Sequence, residues 1–446
     1  MKKCLTALRV LLIINSLLLI VLTSCSIQKQ ISKSAKETVL NAKALQTAHV
    51  GISIFEPATS KYLFNYQGDK YFVPASNTKL PTCYAAMKYL GDSLVGLRYA
   101  EEGDSIIFIK PGGDPTFLHP DFKIQSVLNF LKLKKKQILI DVSAWQDGAL
   151  GAGWSWNDYN ESYMAERSIM PIYGNLTTVD GTSNHWSFFP AIKGKILDDT
   201  TQNQDNKFLG EVIREKSANI YRLKFNGTTE KRIMIPFYTA DGETNAQLLE
   251  DVAKVKVSRV NNPVKISSQN KTTIIHSQPT DSLLKPMMHR SDNFFAEQTL
   301  LMVSNERLGV MNDEKIIDTL LKTDFSDLPQ KPRWVDGSGL SRYNLFTPQD
   351  FVAILSKMKN EFGMGRIKII LPTGNNGTLS NYYKADSNYI FAKTGTLSGV
   401  VSLSGYLYTK KNKLLIFSVL VNNHQASATE VRRVVEKFIE GVRNKY

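Results

Sequence analysis

Three short stretches, far apart along the chain, carry reactive side chains: Ser76-Asn77-Thr78-Lys79, Ser291-Asp292-Asn293 and Lys393-Thr394-Gly395-Thr396. If they act together, the polypeptide must return to one place after nearly half of its length has gone elsewhere. That requirement favours a discontinuous domain with an insertion. Each stretch alone is a weak signal, since S-x-x-K also starts at Ser26, Ser268, Ser282 and Ser356, and S-x-N recurs at Ser217. K-T-G occurs once. Their order and context carry the argument: Pro74-Ala75 leads into Ser76, Phe294-Phe295 follows Asn293, and the apolar run Tyr389-Ile390-Phe391-Ala392 leads into Lys393.

The residue types make a complete acyl-transfer set. A serine hydroxyl is a poor nucleophile near neutral pH and needs a base within hydrogen-bond reach. On a helix, positions three apart share a face, so Lys79 can extend to Ser76, and a helix N-terminus favours the developing negative charge. To act as base, Lys79 must be neutral; lowering a lysine from its reference pKa to about 7.5 costs roughly 4 kcal/mol. Burial and a second cation can supply that shift, and Lys393 is the expected cation. Ser291 is expected to relay a proton to the leaving amine, and Asn293 to hydrogen-bond the substrate amide or Lys79. Lys393, Thr394 and Thr396 are expected to line a strand edge that receives a terminal carboxylate, with Gly395 keeping side-chain bulk out of its path. Backbone N–H groups of Ser76 and Thr396 would form the oxyanion hole.

The N-terminus has the layout of a secretory signal: Lys2, Lys3 and Arg9, then an apolar stretch from Val10 to Leu22 that is short for a membrane span. It ends in Leu22-Thr23-Ser24-Cys25, which resembles a lipobox, so Cys25 is the expected lipidated first residue of a membrane-anchored lipoprotein. An ordinary signal peptide or an uncleaved anchor is the alternative. The formal net charge is +14, and three of those positive charges would leave with residues 1–24. A basic surface outside the cytoplasm points to anionic envelope polymers rather than nucleic acid. Cys4 would be lost and Cys25 acylated, which leaves Cys83 with no intrachain disulfide to make. Cys83 reads as a packed thiol on the Ser76 helix.

Periodicity gives the organisation. Residues 25–46 read as a tether and a leading helix. Val50–Phe55 and Tyr62–Tyr66 suggest a hairpin. Short strand-like pieces, such as Ser105–Ile109 and Gln137–Val142, populate the long middle segment. Ser282–Leu308 carries apolar residues at helical spacing, and a glycine-rich loop follows at Asp336-Gly337-Ser338-Gly339. Ser402–Tyr408 and Leu414–Val421 alternate as strands, and Val431, Val434, Val435, Phe438, Ile439 and Val442 share one face of a terminal helix. Terminal helices packed on an antiparallel sheet define an α+β fold.

In this order the three motifs resemble the S-x-x-K, S-D-N and K-T-G signature of active-site serine penicillin-recognising enzymes. With Gly112-Gly113-Asp114-Pro115-Thr116, Gly153-Trp154-Ser155-Trp156-Asn157-Asp158, Asp336-Gly337-Ser338-Gly339-Leu340-Ser341-Arg342, Leu371-Pro372 and Gly377-Thr378-Leu379, the chain is similar to the D-alanyl-D-alanine carboxypeptidase/endopeptidase family of class C low-molecular-mass penicillin-binding proteins. The resemblance implies a β-lactamase/transpeptidase-like catalytic domain, residues 47–95 and 283–446, interrupted by a mostly-β insertion at 96–282. It implies hydrolysis of peptidoglycan stem peptides through an acyl-enzyme on Ser76, on the periplasmic side of the cell envelope. It also implies inhibition by β-lactams and no cofactor. By analogy, Asp158 and Arg342 would contact the ammonium and carboxylate of a stem diamino acid, or else serve as a turn cap and a surface ion-pair partner. The rival readings are a penicillin-sensing or wall-binding lipoprotein without turnover, and a β-lactamase, for which no deacylating glutamate is evident between Asn293 and Lys393. The six histidines show no H-E-x-x-H pairing and no G-x-S-x-G elbow occurs, which disfavours a metalloprotease and an α/β-hydrolase.

Overall fold

Five antiparallel strands form a sheet in the order Ile390–Leu397, Val400–Tyr408, Leu414–Asn422, His49–Glu56, Lys61–Tyr66. The computed structural model in which this sheet is seen describes residues 28–182, 185–198, 211–224, 231–261 and 272–446. The expected signal segment 1–24 and Cys25 lie outside the described residues. The described chain forms two compact units, one gathering residues up to Asn77 with Leu328–Arg333 and Leu345–Tyr446, the other Thr78–Asp327 with Trp334–Asn344. The cut by compactness falls inside the first motif, whereas the expected insertion begins at residue 96. Contact and chain insertion are different criteria.

In the first unit, the terminal helix Ala428–Lys445 lies on the sheet through Val431, Val435, Phe438, Ile439 and Val442, all of them buried. Burying such side chains stabilises by about 1.5–3 kcal/mol each, and the 3.6-residue period puts them on one stripe. Ser427 starts the helix by accepting from the N–H of Glu430, whose carboxylate accepts in return from the N–H of Ser427. The leading helical segment adds Ile31, Ala35 and Val39 to the same core. The helix Pro348–Ile370 covers the sheet too; Thr347 and Asp350 box its start, and Gly363, at φ +72°, interrupts it.

In the second unit, the helix Lys79–Tyr89 is buried from Lys79 through Met87, on every face, and packs on the helix Asn293–Leu308. Cys83 is a buried thiol within it. The apolar stretch expected to be helical from Ser282 to Leu308 is two helices, Thr280–His289 and Asn293–Leu308. The break is at Ser291, which takes a left-handed φ of +61°, and Asp292 caps the second helix by accepting from the N–H of Phe295 at 3.0 Å. The middle segment is richer than its strand-like pieces implied. It holds a five-stranded mixed sheet, in which Ile106–Pro111 pairs in parallel with Gln137–Asp141 after a crossover helix Ser126–Lys134, and two three-stranded sheets. A parallel pair requires such a crossover.

Candidate active site

Ser76 occupies the 3₁₀ turn Ala75–Thr78, and the helix Lys79–Tyr89 follows without a gap in the sequence. Ala75 stands at φ +48°, a conformation that costs a residue bearing a Cβ of the order of 1 kcal/mol, so the surroundings must hold it. They do so from the sheet. Ser402 Oγ donates to the carbonyl of Pro74 at 2.7 Å, Asn77 Nδ2 donates to Ser404 Oγ at 2.7 Å, and the amide of Asn422 bonds both the N–H and the C=O of Val73, at 2.8 and 3.0 Å. The strand with the third motif passes against this turn. A Cβ on Gly395 would lie 2.9 Å from the Ser76 nitrogen, 2.8 Å from the Pro74 oxygen and 2.2 Å from Ser402 Oγ, which is why only glycine fits. The structure therefore brings Ser76 and Gly395 together. On the same strand Lys393 is fully buried and its Nζ donates to the carbonyl of Thr394 at 2.7 Å; Thr394 is buried and Thr396 exposed.

Lys79 belongs to the second unit. Lys79 Nζ is 2.7 Å from Asn293 Oδ1 and 2.8 Å from the carbonyl oxygen of Ser338. Burial lowers its pKa to about 8, against the opposing pull of Glu297, Asp336 and Asp292. The leading cause is thus desolvation, where the sequence suggested burial together with a second cation. A neutral amine has two N–H bonds and one lone pair. Asn293 and Ser338 each accept from Lys79 Nζ and so fix where the amine sits.

Asp336 organises the loop that presents Ser338. Its fully buried carboxylate accepts from Gly339 N at 2.8 Å, Ser341 N at 2.6 Å, Asn344 Nδ2 at 2.8 Å and Trp154 Nε1 at 3.0 Å. Burial raises its pKa, and these donors hold it down in part. Gly337 permits the loop's approach, since a Cβ there would meet the carbonyl of Ala296 at 2.7 Å. Glu297, one turn beyond Asn293, accepts from Ser338 N at 2.8 Å and lies 3.6 Å from Arg167, which in turn bonds Asp313 at 2.6 Å and Asp147 at 2.8 Å. Burial, and next the charge of Asp336, push the Glu297 carboxyl well up. Glu297, Arg167 and Trp154 were missed as participants. The available signal was the four-residue step from Asn293 to Glu297, which places a carboxylate on the face that carries the amide.

Asp158 lies half-buried in the 3₁₀ turn Trp156–Asn160 and hydrogen-bonds the hydroxyl of Tyr163, whose pKa is raised to about 12 by burial and by Asp158 and Glu161. The Tyr163 carbonyl accepts from Asn293 Nδ2 at 3.2 Å. Arg342 is exposed on the Asp336 loop. Ser291 sits at the joint between its two helices.

The D-Ala-D-Ala carboxypeptidase 3 (S13) family model matches residues 31–441. The chain belongs to this family. Members of the family are serine-type peptidases, so the chain is a hydrolase of that class. It is 23% identical to the D-alanyl-D-alanine carboxypeptidase DacB of Haemophilus influenzae over 91% of this chain and 92% of that one. It is also 23% identical to the D-alanyl-D-alanine carboxypeptidase of Actinomadura sp. over 88% and 81%. The crystal structure of penicillin binding protein 4 (dacB) from Haemophilus influenzae superposes with a TM-score of 0.72 at 20% identity, over 92% of this chain and 98% of that one. A second structure of that protein holds a β-lactam, at a TM-score of 0.70. The shared fold is the penicillin-binding α+β architecture that the motifs imply.

Proposed function

We propose that this chain is a serine-type D-alanyl-D-alanine carboxypeptidase and endopeptidase of peptidoglycan stem peptides, with Ser76 as the nucleophile. The observation that carries the assignment is the setting of Lys79: a fully buried amine with a lowered pKa, held by Asn293 and Ser338. Neutral Lys79 takes the Ser76 hydroxyl proton as Oγ attacks the carbonyl of the penultimate D-alanine. The N–H groups of Ser76 and Thr396 receive the oxyanion. The C–N bond then breaks, and the departing amine gains its proton by way of Ser291 and the Lys79 ammonium. Water, deprotonated by the same amine, opens the ester and restores the serine. In this scheme Lys393 is a fixed positive charge, Thr394 and Thr396 face the substrate's carboxylate, and Asp158 and Arg342 meet the side chain of a stem diamino acid. β-Lactams acylate the same hydroxyl.

The scheme includes an extracytoplasmic location, with Cys25 as the lipidated anchor, and a catalytic domain of residues 47–95 and 283–446 with an insertion at 96–282. Metabolic labelling with a fatty-acid probe, lost in Cys25→Ala, tests the anchor. The activity is tested by incubating purified protein with monomeric and cross-linked muropeptides and resolving products by mass. Loss of one D-alanine from monomers is carboxypeptidase action; dimers falling to monomers is endopeptidase action. No product from either substrate, with penicillin labelling intact and abolished in Ser76→Ala, would replace the enzyme with a sensor.

A further inference from the structure

Two polar hollows adjoin in the unit that contains Lys79. One, of about 370 Å³, is lined by Ser143, Trp145, Arg167, Asp241 and Arg259; the other, of about 510 Å³, reaches Glu314 and shares Trp145 and Arg167 with the first. Both have the size of small-molecule sites. Arg167 brings no uncompensated charge to either, because Asp147, Asp313 and Glu297 surround it. In the wall of the first hollow the chain passes through three successive left-handed residues, Ala240 at φ +49°, Asp241 at +54° and Gly242 at +91°. Two of them carry a Cβ, so the turn must be held from outside, and Arg259 holds it. Its Nη1 donates to the Asp241 carbonyl and its Nε to the Glu243 carboxylate at 3.1 Å. Among the described residues, Arg259 Nη2, the Asp241 carboxylate, the Ser143 hydroxyl and the indole N–H of half-buried Trp145 are left without hydrogen-bond partners.

The open groups define the ligand. An anion meets the carboxylates of Asp241 and Glu314, and a cation meets Arg259, so the fitting molecule is uncharged, rich in both donors and acceptors, and has one apolar face for the indole. We propose that the paired hollows are a saccharide subsite that takes two consecutive N-acetylated sugars of the glycan to which the stem peptides are attached. The identity of that polymer rests on the proposed peptidoglycan substrate; the class of ligand rests on the cavity. An acetamido group offers one carbonyl and one N–H, which match Arg259 Nη2 and the Asp241 carboxylate, two groups already tied to each other by the Arg259–Asp241 bond. A ring hydroxyl meets Ser143, and the C–H face of a pyranose lies on Trp145. Because Trp145 stands between the hollows, neighbouring rings of one chain occupy both.

The test is calorimetric titration of the full protein with chitotetraose, an uncharged chain of N-acetylglucosamine, beside maltotetraose, which lacks the acetamido groups, and inorganic phosphate. Chitotetraose should bind at least about tenfold more tightly than maltotetraose, and phosphate should not compete with it. Asp241→Asn removes the charge at a position where asparagine tolerates the left-handed backbone, and should weaken chitotetraose by about tenfold. Trp145→Ala should weaken it by at least as much, and Trp145→Phe should recover part of the loss. Lys132→Gln, an exposed charge outside the hollows, should leave the affinity unchanged. Melting curves identify a variant that has lost its fold, and Asp241, being exposed, keeps the test decisive if Trp145→Ala does not fold. Protein acylated beforehand with benzylpenicillin should bind chitotetraose as tightly as free protein. No binding of chitotetraose, equal binding of maltotetraose, competition by phosphate, unchanged affinity in the folded variants, or loss of binding on acylation each overturns the subsite. If the wild-type protein neither takes up penicillin nor cleaves muropeptides, the peptidase reading fails, while the response of chitotetraose binding to Asp241→Asn still decides the saccharide site.

Discussion

The indole N–H of Trp154 donates to the buried carboxylate of Asp336 at 3.0 Å, which ties a segment far upstream to the loop whose Ser338 carbonyl accepts from Lys79. Asp336 also accepts from Gly339 N, whose peptide presents the Ser338 oxygen to Lys79. Trp154→Phe keeps the ring and removes the donor. It should cost about 1–3 kcal/mol of stability and slow acylation by misplacing the Ser338 carbonyl. Thermal denaturation and penicillin acylation kinetics on the same preparation check both effects; a wild-type acylation rate would detach Trp154 from the base.

Lys79→Arg should lose roughly 10²- to 10⁴-fold in acylation rate, because arginine keeps its proton. With Lys79 as the proposed base, the same requirement would set the pH profile. Lys79 is competent when neutral, so the acylation rate should fall as pH drops below about 8 and level off above it. Stopped-flow labelling with a fluorescent penicillin between pH 5 and 10 gives the curve, and a flat profile removes the lysine as base.

Glu297→Gln preserves an acceptor for Ser338 N while deleting a carboxylate that supports the Lys79 ammonium. Where Glu297 is ionised its charge favours the ammonium, so its removal should move the acid limb of the acylation profile to lower pH. A limb that stays in place would show that Glu297 acts through packing alone.

Arg167 is surrounded by Asp147, Asp313 and Glu297, and it is buried. Arg167→Met leaves these carboxylates without a cation in a dry interior, at a cost of about 3–5 kcal/mol. Calorimetry should show a lowered Tm that recovers in part at acid pH, where the carboxylates protonate.

Gly395→Ala puts a methyl group within 3 Å of the Ser76 nitrogen and against Ser402 Oγ. Acylation should drop by about 10²-fold with little change in Tm, since a displacement of this size misaligns a reacting group more than it disturbs a core. Intact-protein mass spectrometry after timed exposure to penicillin reads the loss directly.

Much of this architecture was legible in the residues. The face Val431, Val435, Phe438, Ile439, Val442 carries an unmistakable helical period, and the hairpins of the sheet alternate as half-buried strands do. Motif order pointed to the family because the spacing within each motif is local. Other features depend on contacts the sequence does not encode locally. The break at Ser291 falls inside a stretch whose apolar spacing continues across it, so periodicity alone reads one helix. Glu297 and Asp336 look like ordinary acids until burial is known, and Arg432 meets Thr396 only because the terminal helix folds back on its strand.

The complete enclosure of the helix from Lys79 to Met87 has a consequence for variation. Every side chain there is a neighbour of packed atoms, so a replacement of different size is transmitted to the amine at its start. A replacement on the turn Trp156–Asn160, where Trp156 is 69% exposed, meets solvent instead and is not transmitted in this way.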